Sequence, residues 1–148
     1  MPFVILEKPP VFIARRVGFV SPDDMAEMLE SARSVLAARD EPGVLIYDAG
    51  SDSAGRPDAR SRRLTAAWMD KHEALLKKRC AGVDFAFPNA VSRGVLTAIF
   101  WLRSPPFPTG VHHSSRAAIE NALRRIDSKL NPDDLLAELD EGRPRATG

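Results

Sequence analysis

Apolar and polar positions along this chain fall into short blocks whose period switches between that of a strand and that of a helix. Phe3-Val4-Ile5-Leu6-Glu7 is nearly continuous in β-favouring residues, and Val11 to Val20 is a second such run. Arg15-Arg16 interrupts the second run, and Gly18 is expected at a bulge. The turn residues Lys8-Pro9-Pro10 between the two runs predict a hairpin. Ser21-Pro22-Asp23-Asp24 is a helix start: a serine cap, proline at the first helical position and acids at the positive end of the dipole. Met25, Met28, Leu29, Ala32, Val35 and Leu36 then recur at spacings of three and four, giving one apolar face that ends near Arg39.

Val44-Leu45-Ile46-Tyr47 is a short apolar run between turn signals, as a central strand requires. A polar loop from Gly50 to Pro57 precedes a long helix expected over Asp58–Arg79, with Leu64, Ala67, Trp68, Leu75 and Leu76 inward. Val83 to Phe87 alternates and predicts a fourth strand, stopped by Pro88. From Val95 to Leu102 only Thr97 is polar. A helix over Ala90–Leu102 is therefore apolar around most of its circumference and expects burial on most sides. It is too short for a bilayer, which needs about 20 apolar residues. Ser104-Pro105-Pro106-Phe107-Pro108 ends it. Thr109–His113 predicts a short strand. Ser114 or Ser115 then caps a last amphipathic helix carrying Ala118, Ile119, Ala122, Leu123 and Ile126 on one face.

The predicted order is β-β-α-β-α-β-α-β-α. Helices between strands imply right-handed crossovers and parallel pairing, with the leading hairpin antiparallel. The expectation is a single α/β domain over residues 1–130, with a mixed, mostly parallel sheet and helices mainly on one face. Residues 131–148 form an acidic C-terminal tail in which Asp133–Leu139 has room for two turns of helix.

Composition changes this picture little. The chain has 148 residues, 44% hydrophobic and 28% charged, with a net charge of +1. That balance gives no overall field for nucleic acid or a membrane surface. The distribution is uneven: eight basic against three acidic residues from Arg56 to Arg79, and six acidic against three basic from Asp127 to Gly148. Attraction between these two stretches within the chain is the simplest expectation. The start Met-Pro-Phe-Val-Ile-Leu-Glu lacks a signal-peptide pattern, so a cytoplasmic protein is expected.

The element order resembles the STAS domains of the anti-sigma-factor-antagonist type and their SpoIIAA-like relatives, over about Met1 to Asp127. So do the strand Val44-Leu45-Ile46-Tyr47-Asp48, which ends in aspartate before a long helix, and the strings around Cys80-Ala81-Gly82, Ser92-Arg93-Gly94 and Trp101-Leu102. The resemblance implies a bacterial, non-catalytic regulatory or protein–protein interaction module of a signalling system. In the antagonist branch, a serine in an Asp-Ser-x-Gly motif is phosphorylated by a partner kinase. Asp52-Ser53-Ala54-Gly55 matches that string, which makes Ser53 the candidate phosphorylation site. The motif follows Asp48 more closely than in the family, and Arg56-Pro57-Asp58 stands where an apolar helix start belongs.

Candidate chemistry is sparse. Adjacent residues on a strand point to opposite faces, so His112-His113 cannot readily chelate one metal, and one cysteine makes no thiolate cluster. Cys80 and His72 sit about 12 Å apart if they share one helix, too far for proton transfer. No phosphate loop or nucleophile elbow is present. The expectation is therefore no enzyme, no metal and no cofactor. Arg56, Arg60 and Arg63 form a candidate anion contact at a helix start. Aromatic residues do not interleave with them, so nucleic acid is not expected. Val95, Ile99, Trp101, Leu102 and Phe107 form a candidate partner surface, for another protein or for a second copy in a homodimer. Two alternatives stand beside it. The tail covers that surface through Leu135, Leu136 and Leu139, or a small apolar ligand or lipid lies beneath it in a carrier of SEC14-like character. An uncharacterised enzyme is a third.

Overall fold

The computed structural model describes residues 2–50, 59–87 and 104–142. It shows a single α/β domain built on a five-stranded mixed sheet. The strands are β1 (Phe3–Lys8), β2 (Val11–Arg16), β3 (Gly43–Asp48), β4 (Cys80–Ala86) and β5 (Thr109–His112). They lie side by side in chain order. β1 pairs antiparallel with β2, and every later pairing is parallel. The described helices are α1 (Pro22–Ala37), α2 (Ala59–Lys71), α3 (Glu73–Arg79), α4 (Ser115–Arg125) and α5 (Pro132–Glu141).

Strand alternation divides the sheet's side chains between two cores. Phe3, Phe12, Ala14, Leu45 and Val83 point to the first face. There they meet the apolar stripe of α1 (Met25, Met28, Leu29, Ala32, Val35, Leu36) together with Met69 and Leu76 from α2 and α3. Val4, Val11, Ile13, Val44 and Ile46 point to the second, against Ala118, Ile119, Ala122 and Leu123 of α4 and Leu135 and Leu139 of α5. β3 is buried on both sides, which explains its unbroken apolar run.

The expectation of helices mainly on one face is corrected here. Strands laid down in chain order by right-handed crossovers place their connecting helices on one face, as α1, α2 and α3 are. Among the described residues, the opposite face is covered by chain that follows the last strand. α4 and α5 do this, and each large side chain they bury from water contributes roughly 1.5–3 kcal/mol. Leu135 and Leu139 thus pack against the second face, with Leu136 beside them; the Ala90–Leu102 part of the surface they were expected to cover lies outside the described residues.

Local signals held where capping chemistry was explicit. The Ser21 hydroxyl accepts from the Asp24 amide at 3.1 Å, and the Asp24 carboxylate accepts from the Ser21 amide at 3.1 Å, a reciprocal cap. Ser114, not Ser115, caps α4, and Asn131 caps α5 with Pro132 at its first turn. Two boundaries differ. The helix expected over Asp58–Arg79 is two helices, broken at His72, which stands at the cap of α3 without a side-chain cap bond. β2 ends at Arg16, so Gly18 lies in a connecting loop and not in a strand bulge.

Charge pairing also differs from expectation. The carboxylates of α5 reach Lys8 (Glu138, 3.1 Å), Arg15 (Asp140, 2.6 Å) and Arg116 (Asp133), all on its own side of the sheet. The basic run of α2 and α3 lies on the opposite face, too remote to be their partner.

Candidate functional site

The described polar groups with the most built surroundings are two buried acids on the second face, Asp84 in mid-β4 and Asp48 at the end of β3. Asp84 is fully buried. A charge there is tolerable only if donors replace water. Four contacts do so: His112 Nε2 at 2.9 Å, Asn121 Nδ2 at 2.8 Å, Arg125 Nε at 2.9 Å and Arg125 Nη2 at 3.3 Å. Asn121 and Arg125 are one helical turn apart on α4, and His112 closes the set from β5. Burial alone would raise this carboxyl, but the bonds from Arg125, His112 and Asn121 outweigh it and hold Asp84 below its ordinary value. The ionised carboxylate can only accept, so His112 presents a protonated Nε2 to it.

Two glycines leave the room. A Cβ on Gly110, directly across from Asp84, would strike its Oδ1 and lie 2.8 Å from His112 Nε2. A Cβ on Gly82 would lie 2.5 Å from Arg125 Cδ.

Asp48 is likewise buried. Its Oδ2 accepts from Arg15 Nε at 2.9 Å and from the Ser115 hydroxyl, and its Oδ1 accepts from the Gly50 amide at 2.9 Å. Gly50 takes a left-handed φ of 78°, and a Cβ there would run into the Arg16 carbonyl, so this turn is reserved for glycine. Arg15 continues to Asp140 on α5. Burial would lower the Arg15 guanidinium, but its bonds to Asp140 and Asp48 outweigh burial and raise it. Asp48 therefore ties β2, β3, α4 and α5 together at the carboxyl ends of the strands, the edge where open α/β sheets place their ligands.

On the first face at that same edge, Tyr47, Phe85 and Phe87 form an aromatic group. Tyr47 lies 6.4 Å from Phe85 and 6.1 Å from Phe87, centroid to centroid, and Phe85 stacks on Phe87 at 5.8 Å. Burial pushes the Tyr47 phenol up to about 12.

The residues singled out from sequence are scattered relative to these groups. Ser53, Arg56, Val95, Ile99, Trp101 and Leu102 lie outside the described residues. Arg60 and Arg63 are exposed on the outer side of α2. Phe107 is half-buried against the first core. His72 packs edge-on against Trp68 with centroids 5.8 Å apart. Cys80 is buried, and burial raises its thiol to about 12, far from the thiolate a nucleophile needs. His112 and His113 do not act together: His112 turns to Asp84. Among the described residues no three His, Cys, Asp or Glu side chains form a cluster that could hold a metal, and no helix is long and apolar enough to cross a membrane. Among the described residues the most exposed large apolar side chain is Phe19, 71% accessible in the loop after β2, and the sequence pattern did not single it out.

Sequence reasoning missed both carboxylate networks. The signal for Asp84 was available: an acid inside an alternating strand, with Gly82 and Ala86 as its same-face neighbours, needs a cation. Arg125 sits beside the apolar stripe of the last helix. Comparison with protein-family models, with curated proteins and with solved structures finds no match.

Proposed function

We propose that this chain is a non-catalytic regulatory or protein–protein interaction module, of the STAS/SpoIIAA-like kind its element order resembles. The observation that supports this most is the state of the acids near the carboxyl edge of the sheet. Asp48 and Asp84 both have their lone pairs taken up by donors of the fold itself, and the bonds they make run between elements. Groups committed in that way hold strands and helices in register and leave little capacity for abstracting or delivering a proton in a reaction. A leading antiparallel strand followed by four parallel strands in chain order fits the same reading.

In this proposal the segment between β3 and α2 carries the switch. Ser53 accepts a phosphate from a partner kinase, and the added charge of nearly −2 alters binding. Arg56 in that segment and Arg60 and Arg63 on α2 supply cations. Val95, Ile99, Trp101, Leu102 and Phe107 contribute the apolar part of the partner surface.

The test is in-cell cross-linking of the full chain in its source organism, followed by mass spectrometry of wild type and Ser53→Asp. A stoichiometric protein partner captured by wild type and lost with Ser53→Asp supports the proposal. Native mass spectrometry showing a retained lipid or other apolar molecule, with no protein partner, replaces the module by a carrier. An identical partner set for both proteins ends the switch at Ser53.

A further inference from the structure

The outer surface of the first helical layer carries two adjoining stripes of opposite charge. On α1 the exposed acids Asp23, Glu27 and Glu30 recur at the spacing of one helical face, with exposed Ala26, Ser34 and Ala37 among them. On α2 the exposed Arg60, Arg63 and Lys71 do the same, with exposed Ala67 between and one exposed acid, Asp70, beside Lys71 at the far end, so the basic character is concentrated at Arg60 and Arg63. Among the described residues Asp23, Glu27, Arg60 and Arg63 have no salt-bridge partner, whereas Glu30 pairs with Arg33 on its own helix at 2.5 Å. The stripes are close enough to feel one another. The Glu30 carboxyl is lowered chiefly by its hydrogen bond from Arg33, against a smaller opposing effect of burial, and Lys71 and His72 across the helix boundary lower it further.

The geometry points to a second copy of this chain as the partner. α1 connects β2 to β3, and α2 with α3 connects β3 to β4. These three strands are parallel, so α1 and the α2–α3 pair run in the same direction. A two-fold axis lying in the surface and parallel to the helices sets α1 of one copy on α2 of the other, twice. Both acidic stripes then face basic ones. An axis perpendicular to the helices would set acid on acid, so charge selects one of the two arrangements. The two helix halves also match along their length, since Asp23 and Glu27 lie in the first half of α1, and Arg60 and Arg63 in the first half of α2. The intervening alanines let the backbones approach. The surface is self-complementary whatever the chain regulates, and the inference does not depend on the function proposed above.

α1, about 24 Å long, and α2, about 20 Å long, each about 10 Å wide, present roughly 450 Å² per copy, the size of a weak, transient contact. The association is therefore weak, polar and screened by salt, with a screening length of about 10 Å at 0.1 M and about 3 Å at 1 M. Sedimentation velocity on the full chain at about 100 μM, in about 0.05 M and about 1 M salt, tests it. The expected result is dimer at low salt and monomer at high salt. Glu27→Arg and Arg63→Glu are each expected to weaken the dimer about tenfold or more, since each sets like charges opposite one another twice. An equimolar mixture of the two variants restores a dimer, because each mixed contact pairs an acid with a base. Circular dichroism confirms folding of these exposed variants. A monomer at low salt overturns the inference. So does a dimer indifferent to salt and to both reversals, which places self-association on another surface.

Discussion

Replacing Asp84 by alanine tests whether the buried carboxylate holds the second layer of the fold together. Removing the acid strands the guanidinium of Arg125, whose side chain is 19% exposed, along with the Asn121 amide and the His112 ring. Breaking a buried pair from one side costs about 3–5 kcal/mol. Arg125 retains some access to water, so the lower figure, about 3 kcal/mol, is expected. At about 2–4 °C per kcal/mol for a chain of this size, the midpoint of thermal unfolding falls by about 6–12 °C. Urea unfolding at pH 7 measures the same quantity directly. A second variant separates the stranded charge from the loss of packing. Asp84→Val with Arg125→Met removes both ends of the pair and should recover most of the loss, because apolar replacement of a buried pair is often neutral.

The pH dependence has a fixed sign. The Asp84 carboxyl is held below its ordinary 3.8 in the folded chain, so in that window the unfolded chain binds more protons. Its contribution is complete above 3.8 and is lost as pH falls through the lower folded value. The stability gap between wild type and Asp84→Ala should therefore be flat from neutrality down to about pH 4 and shrink only below it. A gap under about 1 kcal/mol at pH 7 would refute the reasoning, as would one that closes between pH 7 and 5.

Other perturbations probe neighbouring parts of the argument. Gly110→Ala places a Cβ against Asp84 and His112 and should cost about 1–3 kcal/mol; it should also speed exchange of the Phe87 amide, which bonds the His112 carbonyl, and unchanged exchange would disprove the coupling. Leu139→Ala opens a cavity where the side chain is 2% exposed and should cost about 2–5 kcal/mol in one cooperative urea transition; a loss below about 0.5 kcal/mol would mean α5 is not part of the folding unit. Cys80, its thiol pushed up to about 12, should resist thiol reagents at pH 8 until denaturant is added, and rapid labelling of the folded protein would contradict its burial.

The strands and amphipathic helices were legible wherever period and capping residues agreed. α1 is the clearest instance: its six predicted inward residues are the six that are buried, and its serine cap is made as read. The break at His72 was not legible, because Arg60 to Arg79 contains neither proline nor glycine and the apolar residues continue at helical spacing through it. The placement of α5 needed information that no local window carries. Its acids find Lys8, Arg15 and Arg116, two of which lie more than a hundred positions away in the chain. The carboxylate networks were hidden for the same reason. Val83-Asp84-Phe85 reads as ordinary alternation until Gly110 and Arg125 are brought beside it by the sheet and the last helices.

Laying the strands down in chain order has a consequence for how the protein comes into being on the ribosome. Every strand is made before either helix that covers the second face. Until α4 and α5 leave the exit tunnel, Val4, Val11, Ile13, Val44 and Ile46 lack the cover that these two helices give them. The latest contacts to form are also among the most distant in sequence, Lys8 with Glu138 and Arg15 with Asp140. A nascent chain halted before about residue 130 would thus carry an apolar sheet face in water, the kind of surface that chaperones hold and that aggregates grow from. The N-terminal hairpin, although synthesised first, is among the last parts of the molecule to be finished.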